Sequence, residues 1–281
     1  MKVDNNQNKR RALKAELYRD NFQNSKVYNI PRAQLIIADI PYNLSNNAYA
    51  SNPAWYVDGD NKKGESNLAG KQFFNTDINF NVAEFMHFVS KFLIKEPKER
   101  GQAPCMIMFC SFEQQFPLID LAKRYGLNNY INLVFRKNFS AQVLKANMRI
   151  VGNCEYGLLF YRDKLPKFNN NRKMVFNCID WELDDKSVPK LHPTQKPVKL
   201  IKKLIEIFTD EGETVIDPCA GSGSTLIAAL QSNRNSYGFE IDREIYKKAH
   251  NWVETEKQNK KDIEEFGFAR TELRKQGASL F

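Results

Sequence analysis

The chain has 281 residues, enough for one large α/β domain or two small ones with a substantial core. Lys and Arg number 42 against 33 Asp and Glu, a formal net charge of +9 that suits a polyanion such as nucleic acid. No stretch is long and apolar enough to span a bilayer, the polar N-terminus has no apolar core for a signal peptide, and the 5 cysteines form no Cys-x-x-Cys pair; this speaks against a membrane protein, a disulfide scaffold and a zinc site. None of His87, His192 and His250 makes a metal-spaced pair with another, so no metal is expected and a cytoplasmic protein is.

Residues 9–18 mix basic side chains with Ala12, Leu13, Ala15 and Leu17 and read as a short helix or an arm. Leu17 and Tyr18 lead into Asp20 as a strand end. Leu35-Ile36-Ile37-Ala38 is a short apolar run that ends abruptly in Asp39-Ile40-Pro41-Tyr42, the pattern of a strand buried on both faces of a parallel sheet. Ligands of such sheets sit beyond the carboxyl ends of the strands, where this stretch offers a carboxylate, a backbone carbonyl and a flat ring. Pro41 keeps Ile40 extended, so that carbonyl points outward. Residues 44–76 form a long polar loop with Tyr49, Trp55, Tyr56, Phe73 and Phe74 set between Lys62, Lys63 and Lys71, and loops of that length are usually functional or disordered.

The spacing of Phe85, Phe88, Val89, Phe92 and Leu93 predicts an amphipathic helix starting near residues 76–81. Further strands are expected over residues 105–110, 130–135, 156–161, 214–217 and 236–241. Helices are expected over 113–125, 198–208 and 222–231 and from Arg243 onward. Residues 162–190 read as polar, basic and irregular, and residues 257–281 as a solvated charged helix or tail. Strands alternating with helices predict one α/β domain with a mostly parallel sheet.

A second informative stretch is Asp217-Pro218-Cys219-Ala220-Gly221-Ser222-Gly223-Ser224-Thr225. Its glycines let backbone approach a ligand between a strand and a helix N-terminus, where unpaired N–H groups face outward. Glu240, at the end of the next strand, is placed to accept hydrogen bonds from ribose hydroxyls. This combination suggests an adenosine-containing ligand. A dinucleotide fits less well, because the spacing is not G-x-G-x-x-G and Asp217 would repel a pyrophosphate while suiting an ammonium group. Cys219 has no nearby His and an acidic neighbour, so it reads as a packing residue.

Taken together, these stretches resemble the paired signatures of S-adenosylmethionine-dependent DNA amino-methyltransferases. Asp39-Ile40-Pro41-Tyr42 is similar to the family's Asp-Pro-Pro-Tyr catalytic motif, and residues 217–225 are similar to its cofactor motif. His192-Pro193-Thr194-Gln195-Lys196-Pro197 matches a third family segment in full. The order of the three resembles the β class, whose motifs are circularly permuted. The resemblance implies a Rossmann-like class I methyltransferase fold, mostly parallel with an antiparallel hairpin strand. It implies that Asp39 and the Ile40 carbonyl accept hydrogen bonds from the target amine, and that Tyr42 stacks on a flipped base. Thr194, Lys196 and Pro197 would lie at the methionine end of S-adenosylmethionine. Asp217, Pro218, Ala220, Gly221, Ser222, Gly223, Ser224 and Thr225 would line it, with Glu240 and Ile241 at the ribose and Asp20 at the adenine amine. Two positions depart from the family: Ile40 replaces a proline, and Cys219-Ala220 replaces the usual Phe-x.

Asp before the motif's Pro-Tyr favours N6 of adenine over N4 of cytosine as the acceptor. The alternatives are a cytosine-N4 enzyme and a non-catalytic DNA-binding protein on the same scaffold. Double-stranded DNA is the expected partner, a homodimer and a separately acting restriction endonuclease being compatible with the resemblance. The loop at 44–76 and the segment at 162–190 are the expected recognition insertions. Lys62, Lys63, Lys137, Arg162, Lys164, Arg172 and Lys173 are the expected DNA contacts.

Overall fold

The computed structural model describes residues 13–41, 80–138, 142–145, 150–192 and 194–275. In chain order these hold β1 (Ala15–Tyr18), a 3-10 turn (Phe22–Val27), β2 (Leu35–Asp39), α1 (Val82–Phe92), β3 (Cys105–Cys110), α2 (Gln115–Arg124), β4 (Asn129–Lys137), β5 (Gln142–Lys145) and β6 (Ile150–Gly152). There follow β7 (Cys154–Tyr161), β8 (Cys178–Trp181), α3 (Val198–Phe208), β9 (Thr214–Asp217), α4 (Ser224–Gln231), β10 (Asn235–Phe239) and α5 (Arg243–Lys275).

The apolar runs of β2 and β3 are explained by burial on both faces. Leu35, Ile37, Cys105, Ile107 and Phe109 point into a core shared with α3, α4 and the first turns of α5. Ile36, Ala38, Met106, Met108 and Cys110 point into a second core, against α1 and α2. The period of two along each strand therefore divides one apolar run between two helical layers. The sheet order is β1-β10-β9-β2-β3-β7-β4-β8. Strand β7 runs antiparallel to both β3 and β4, and the other ladders of this sheet are parallel, the mostly parallel sheet with one reversed strand that was expected.

Local signals place the helix ends. Asn81 caps α1, its Oδ1 accepting from the amides of Ala83 (3.0 Å) and Glu84 (3.2 Å). Asp242 does the same for α5, accepting from Glu244 and Ile245 at 2.8 Å each. The latter helix continues through the charged region to Lys275, with Ala249 and Val253 on the core.

Two readings of the chain are corrected, and one element is new. Residues 15–18 are an edge strand, so the strand end expected at Leu17 and Tyr18 holds and the helix or arm reading over residues 9–18 does not reach into them. Residues 162–190 are not wholly irregular: β8 lies within them and adds to the sheet edge beside β4, with Ile179 and Trp181 turned inward. The antiparallel β5–β6 pair, 4 and 3 residues long, was not expected at all.

Candidate active site

Strand β2 pairs with β9 at Leu35↔Val215 and Ile36↔Ile216, and with β3 as far as Asp39↔Phe109. The chain leaves β9 through α4 on one face and enters β3 through α1 on the other. The strand order therefore reverses between β9 and β2, and the crevice beyond their carboxyl ends is where such sheets bind ligands. Asp217 ends one strand and Asp39 the other.

The glycine turn closes one wall of this crevice. Gly221 (φ 51°) and Gly223 (φ 83°) are left-handed, and a Cβ on Gly221 would meet nothing within 4 Å, so bare backbone faces open space there. The Ala220 amide donates to the Phe239 carbonyl (2.8 Å) and the Gly223 amide to the Ala220 carbonyl (2.8 Å), which ties the turn to the end of β10. Glu240 accepts from the Asp242 amide (2.7 Å) and from the Gly221 amide, so its carboxylate bridges the two segments. Pro218, Ala220, Ser222, Ser224 and Thr225 are buried beneath the turn, whereas Ile241 leaves an apolar side chain 47% exposed beside Glu240.

Two carboxyls on this wall are raised by burial. Burial pushes the Asp217 carboxyl up to about 7; hydrogen bonds from the Thr225 hydroxyl and the Cys219 amide oppose the rise, and the charges of Asp39 and Glu240 add to it. Glu240 is also raised, chiefly by burial. Burial, with Asp217 next in size, holds the Cys219 thiol well above its ordinary range, which agrees with a packing role.

The hexapeptide reaches the same end of the sheet through Lys196. Gln195 shapes the loop, its Oε1 accepting from the Leu191 amide (2.9 Å) and its Nε2 donating to the Pro189 carbonyl (2.9 Å). His192 Nδ1 accepts from the Thr194 amide (3.2 Å), and burial together with the Lys196 charge lowers this imidazole to about 4, so it is neutral near pH 7. Pro197 leads into α3, whose first amides, Val198 and Lys199, are capped from a distance by Asp184 (2.8 and 3.0 Å). Lys196 points inward. Its side chain is only 8% exposed, and its ammonium lies 2.5 Å from Asp39 Oδ2 and 3.2 Å from Glu155 Oε2. Glu155 in turn pairs with Lys137, and the Lys137 ammonium lies 4.6 Å from the Trp181 ring centre.

In the stretch from Asp39 to Pro41, Ile40 is buried and its amide donates to the Phe109 carbonyl (3.4 Å). The Pro41 carbonyl accepts from Gln114 Nε2 (2.9 Å), and Gln114 is itself held by reciprocal bonds with Ser111 at the start of α2 (3.0 and 3.3 Å). Tyr42, Lys62 and Lys63 lie outside the described residues, as does the loop at 44–76.

Asp20 follows β1 at the same end of the sheet, where the Glu240 amide donates to the Tyr18 carbonyl (3.0 Å). Its carboxylate accepts from Asn24 and from the Asn21 amide (2.7 Å each) and from the Tyr28 hydroxyl (2.8 Å), and these bonds, Asn24 first, lower its pKa.

The expected DNA contacts divide by topology. Lys137 ends β4 at the same end as Asp39 but is turned into the Glu155 pair. Arg162 and Lys164 follow the reversed strand β7 and so emerge at the opposite end. There Arg162 donates to the carbonyls of Ile94 (2.8 Å) and Ser90 (3.3 Å), and Lys164 to those of Pro97 (2.6 Å) and Lys98 (3.3 Å). Arg172 and Lys173 are exposed, close to Asn169, which is bonded to Thr209 and Asp210 ahead of β9, again away from the crevice. Sequence reasoning passed over Glu155 and Gln114. The only trace of Glu155 was a charge at the head of an otherwise apolar strand, and Gln114 followed Ser111 at capping-box spacing.

Comparison with known proteins agrees with this geometry. A family model described as DNA methylase, of the N6/N4 methyltransferase type, matches residues 33–251. Type II methyltransferase M.HindIII of Haemophilus influenzae is 47% identical over 68 residues, 24% of this chain and 22% of that protein. DNA adenine methyltransferase YhdJ of Escherichia coli is 30% identical over 138 residues, 48% of this chain and 42% of that protein. The chain spans between 22% and 56% of the length of the first curated relatives it matches. Among solved structures, the M1.HpyAVI–SAM complex aligns with a TM-score of 0.58 at 19% identity, covering 85% of this chain and 98% of that one. PvuII DNA methyltransferase, cytosine-N4-specific, aligns with a TM-score of 0.57 at 13% identity, covering 87% and 91%. These two likenesses concern the fold. The family match covers most of the sheet and all three motifs, and the chain belongs to the N6/N4 DNA methylase family.

Proposed function

We propose that this protein is a site-specific DNA methyltransferase that moves a methyl group from S-adenosylmethionine to the N6 amine of adenine. The observation that carries the reading is the meeting of Asp39, Asp217 and Lys196 at one switch point. The residues there suit the cofactor's charges and shape. Asp217, pushed up to about 7, and Glu240 suit an ammonium group and hydroxyl donors, Gly221 leaves room for close approach, and Lys196 is assigned by the family resemblance to the methionine end of the cofactor. When bound, the cofactor supplies a methyl group already activated by positive charge on sulfur.

The chain's own part is then to hold and orient the amine. Asp39 and the Ile40 carbonyl accept its hydrogens, which localises the nitrogen lone pair otherwise spread into the ring. The Pro41 carbonyl is engaged by Gln114, so the Ile40 carbonyl is the acceptor left for this task. Tyr42 is assigned to stacking on the base, which has to leave the helix because its amine is unreachable inside a duplex. Asp39 orients without acting as a general base, since a neutral amine attacks first and loses its proton afterwards. By the family resemblance, Asp20 is assigned to the amine of the cofactor's adenine.

Adenine is favoured over cytosine by Asp39 ahead of Pro41 and Tyr42, and by the relative named as an adenine methyltransferase. The described element best placed to meet DNA is the β5–β6 ribbon. It leaves and rejoins the sheet between Lys137 and Cys154, at the crevice end, and a two-stranded ribbon fits a major groove. The test is methylation of unmodified DNA with labelled S-adenosylmethionine, followed by nucleoside analysis. Label in N6-methyl-2′-deoxyadenosine, absent with Asp39→Ala, is expected. Label only in N4-methylcytosine would overturn the base assignment, and equal turnover by Asp39→Ala would overturn the mechanism.

A further inference from the structure

Glu155 has no role in the reading above, yet it sits at the centre of a largely buried row of alternating charge. Lys137, Glu155, Lys196 and Asp39 come from β4, β7, the hexapeptide and β2. Trp181 lies beneath both cations, its ring centre 4.6 Å from the Lys137 ammonium and 5.9 Å from that of Lys196. The Lys196 ammonium is closer to Asp39 (2.5 Å) than to Glu155 (3.2 Å), and the Glu155 and Asp39 side chains are 19% and 31% exposed. A carboxylate that donates its electron density to an ammonium is a weaker acceptor for a second donor. Asp39 therefore accepts well from a target amine only if Lys196 gives up part of its hold.

Resting on the proposed methyl transfer, we propose that Glu155 is a positioning residue. It takes the Lys196 ammonium when Asp39 engages the target amine, and Lys137, paired with its other oxygen, keeps it aimed at Lys196. The row has two cations and two anions, so this transfer moves a hydrogen bond without creating net buried charge. No covalent bond changes and no proton is lost. Without the Glu155 carboxylate, Lys196 stays on Asp39, and Asp39 presents a partly neutralised oxygen to the amine.

The test uses the double variant Glu155→Gln/Lys137→Met, which removes one charge of each sign and so keeps the row balanced, with Glu155→Asp as a second variant that keeps the charge but shortens its reach. Both are measured for thermal midpoint, calorimetric affinity for S-adenosylmethionine, DNA KM and kcat. The expected result is wild-type stability, cofactor affinity and KM with kcat lower by about tenfold in the double variant, the effect of ~1.4 kcal/mol on the barrier, and an intermediate fall in Glu155→Asp. Wild-type kcat in both folded variants would overturn the proposal. So would a fall in kcat matched by lost cofactor affinity, which would place Glu155 in cofactor binding instead. If the double variant does not fold, Glu155→Asp decides alone on the same criteria. Failure of the wild-type protein to methylate either base would count against the proposed function, an outcome distinct from these.

Discussion

The Asp217 carboxyl gives the most direct quantitative test. Burial holds its pKa at about 7 in the ligand-free protein, and a cation bound beside it favours the ionised form. If S-adenosylmethionine binds only that form, its apparent Kd is the intrinsic value multiplied by one plus ten to the power (7 − pH). That factor is about 2 at pH 7 and about 30 at pH 5.5, so affinity should weaken roughly 15-fold over this range. The ligand's α-amino group titrates near 7.7–8.0 and is fully charged over most of this window, and His192, lowered to about 4, stays neutral. Titration calorimetry at pH 5.5, 6.0, 6.5 and 7.0, in two buffers of different ionisation enthalpy, measures both the slope and the proton released. Asp217→Asn should bind more weakly at pH 7 and lose most of the slope. A wild-type Kd that is flat across the range, or a slope unchanged in Asp217→Asn, would refute the reasoning. The sign for folding is the reverse of the usual carboxylate. The folded pKa lies above the unfolded value near 3.8, so stability is fully present below that pH and falls by up to about 4 kcal/mol as pH rises through 7.

Gly238 lies under the glycine turn, where a Cβ would come within 2.7 Å of Leu226 Cδ1 and 2.9 Å of Ala220 Cβ; Gly238→Ala should cost about 1–3 kcal/mol in urea unfolding and, on the proposed function, weaken cofactor binding by shifting Ala220. Gln114→Leu keeps the size of the side chain but removes the donor to the Pro41 carbonyl, so kcat should fall about tenfold with little change in thermal midpoint, a result that unchanged kcat would exclude. Lys167 is buried between Asp210 and Glu213, 2.6 Å from each, at the end of the sheet away from the crevice. Lys167→Met should lower stability by about 2 kcal/mol, discounted for the partial exposure of both carboxylates, while kcat at 25 °C stays at the wild-type level.

The parts of this protein written in local chemistry were legible in its sequence. The apolar run of β2 fitted a strand buried on both faces, the glycine turn marked a place where backbone comes close to a ligand, and the hexapeptide and glycine motifs pointed to a family because each packs a specific chemistry into adjacent residues; the positive φ at Gly221 and Gly223 is what the structure adds. Strand β8 escaped notice because 4 residues of alternating burial are too few to stand out from a polar segment. What only the tertiary structure decided was direction and partnership. Because β7 runs against its neighbours, the basic segment that follows it emerges at the end opposite the crevice, and a charge count along the chain carries no strand direction. Likewise Lys196 meets Asp39 across 157 positions of sequence and Glu155 only because the β3–β7–β4 ladder brings its strand alongside. Charges buried together must balance, but which ones share a site is set by the packing of the sheet, and no pattern within a single segment records it.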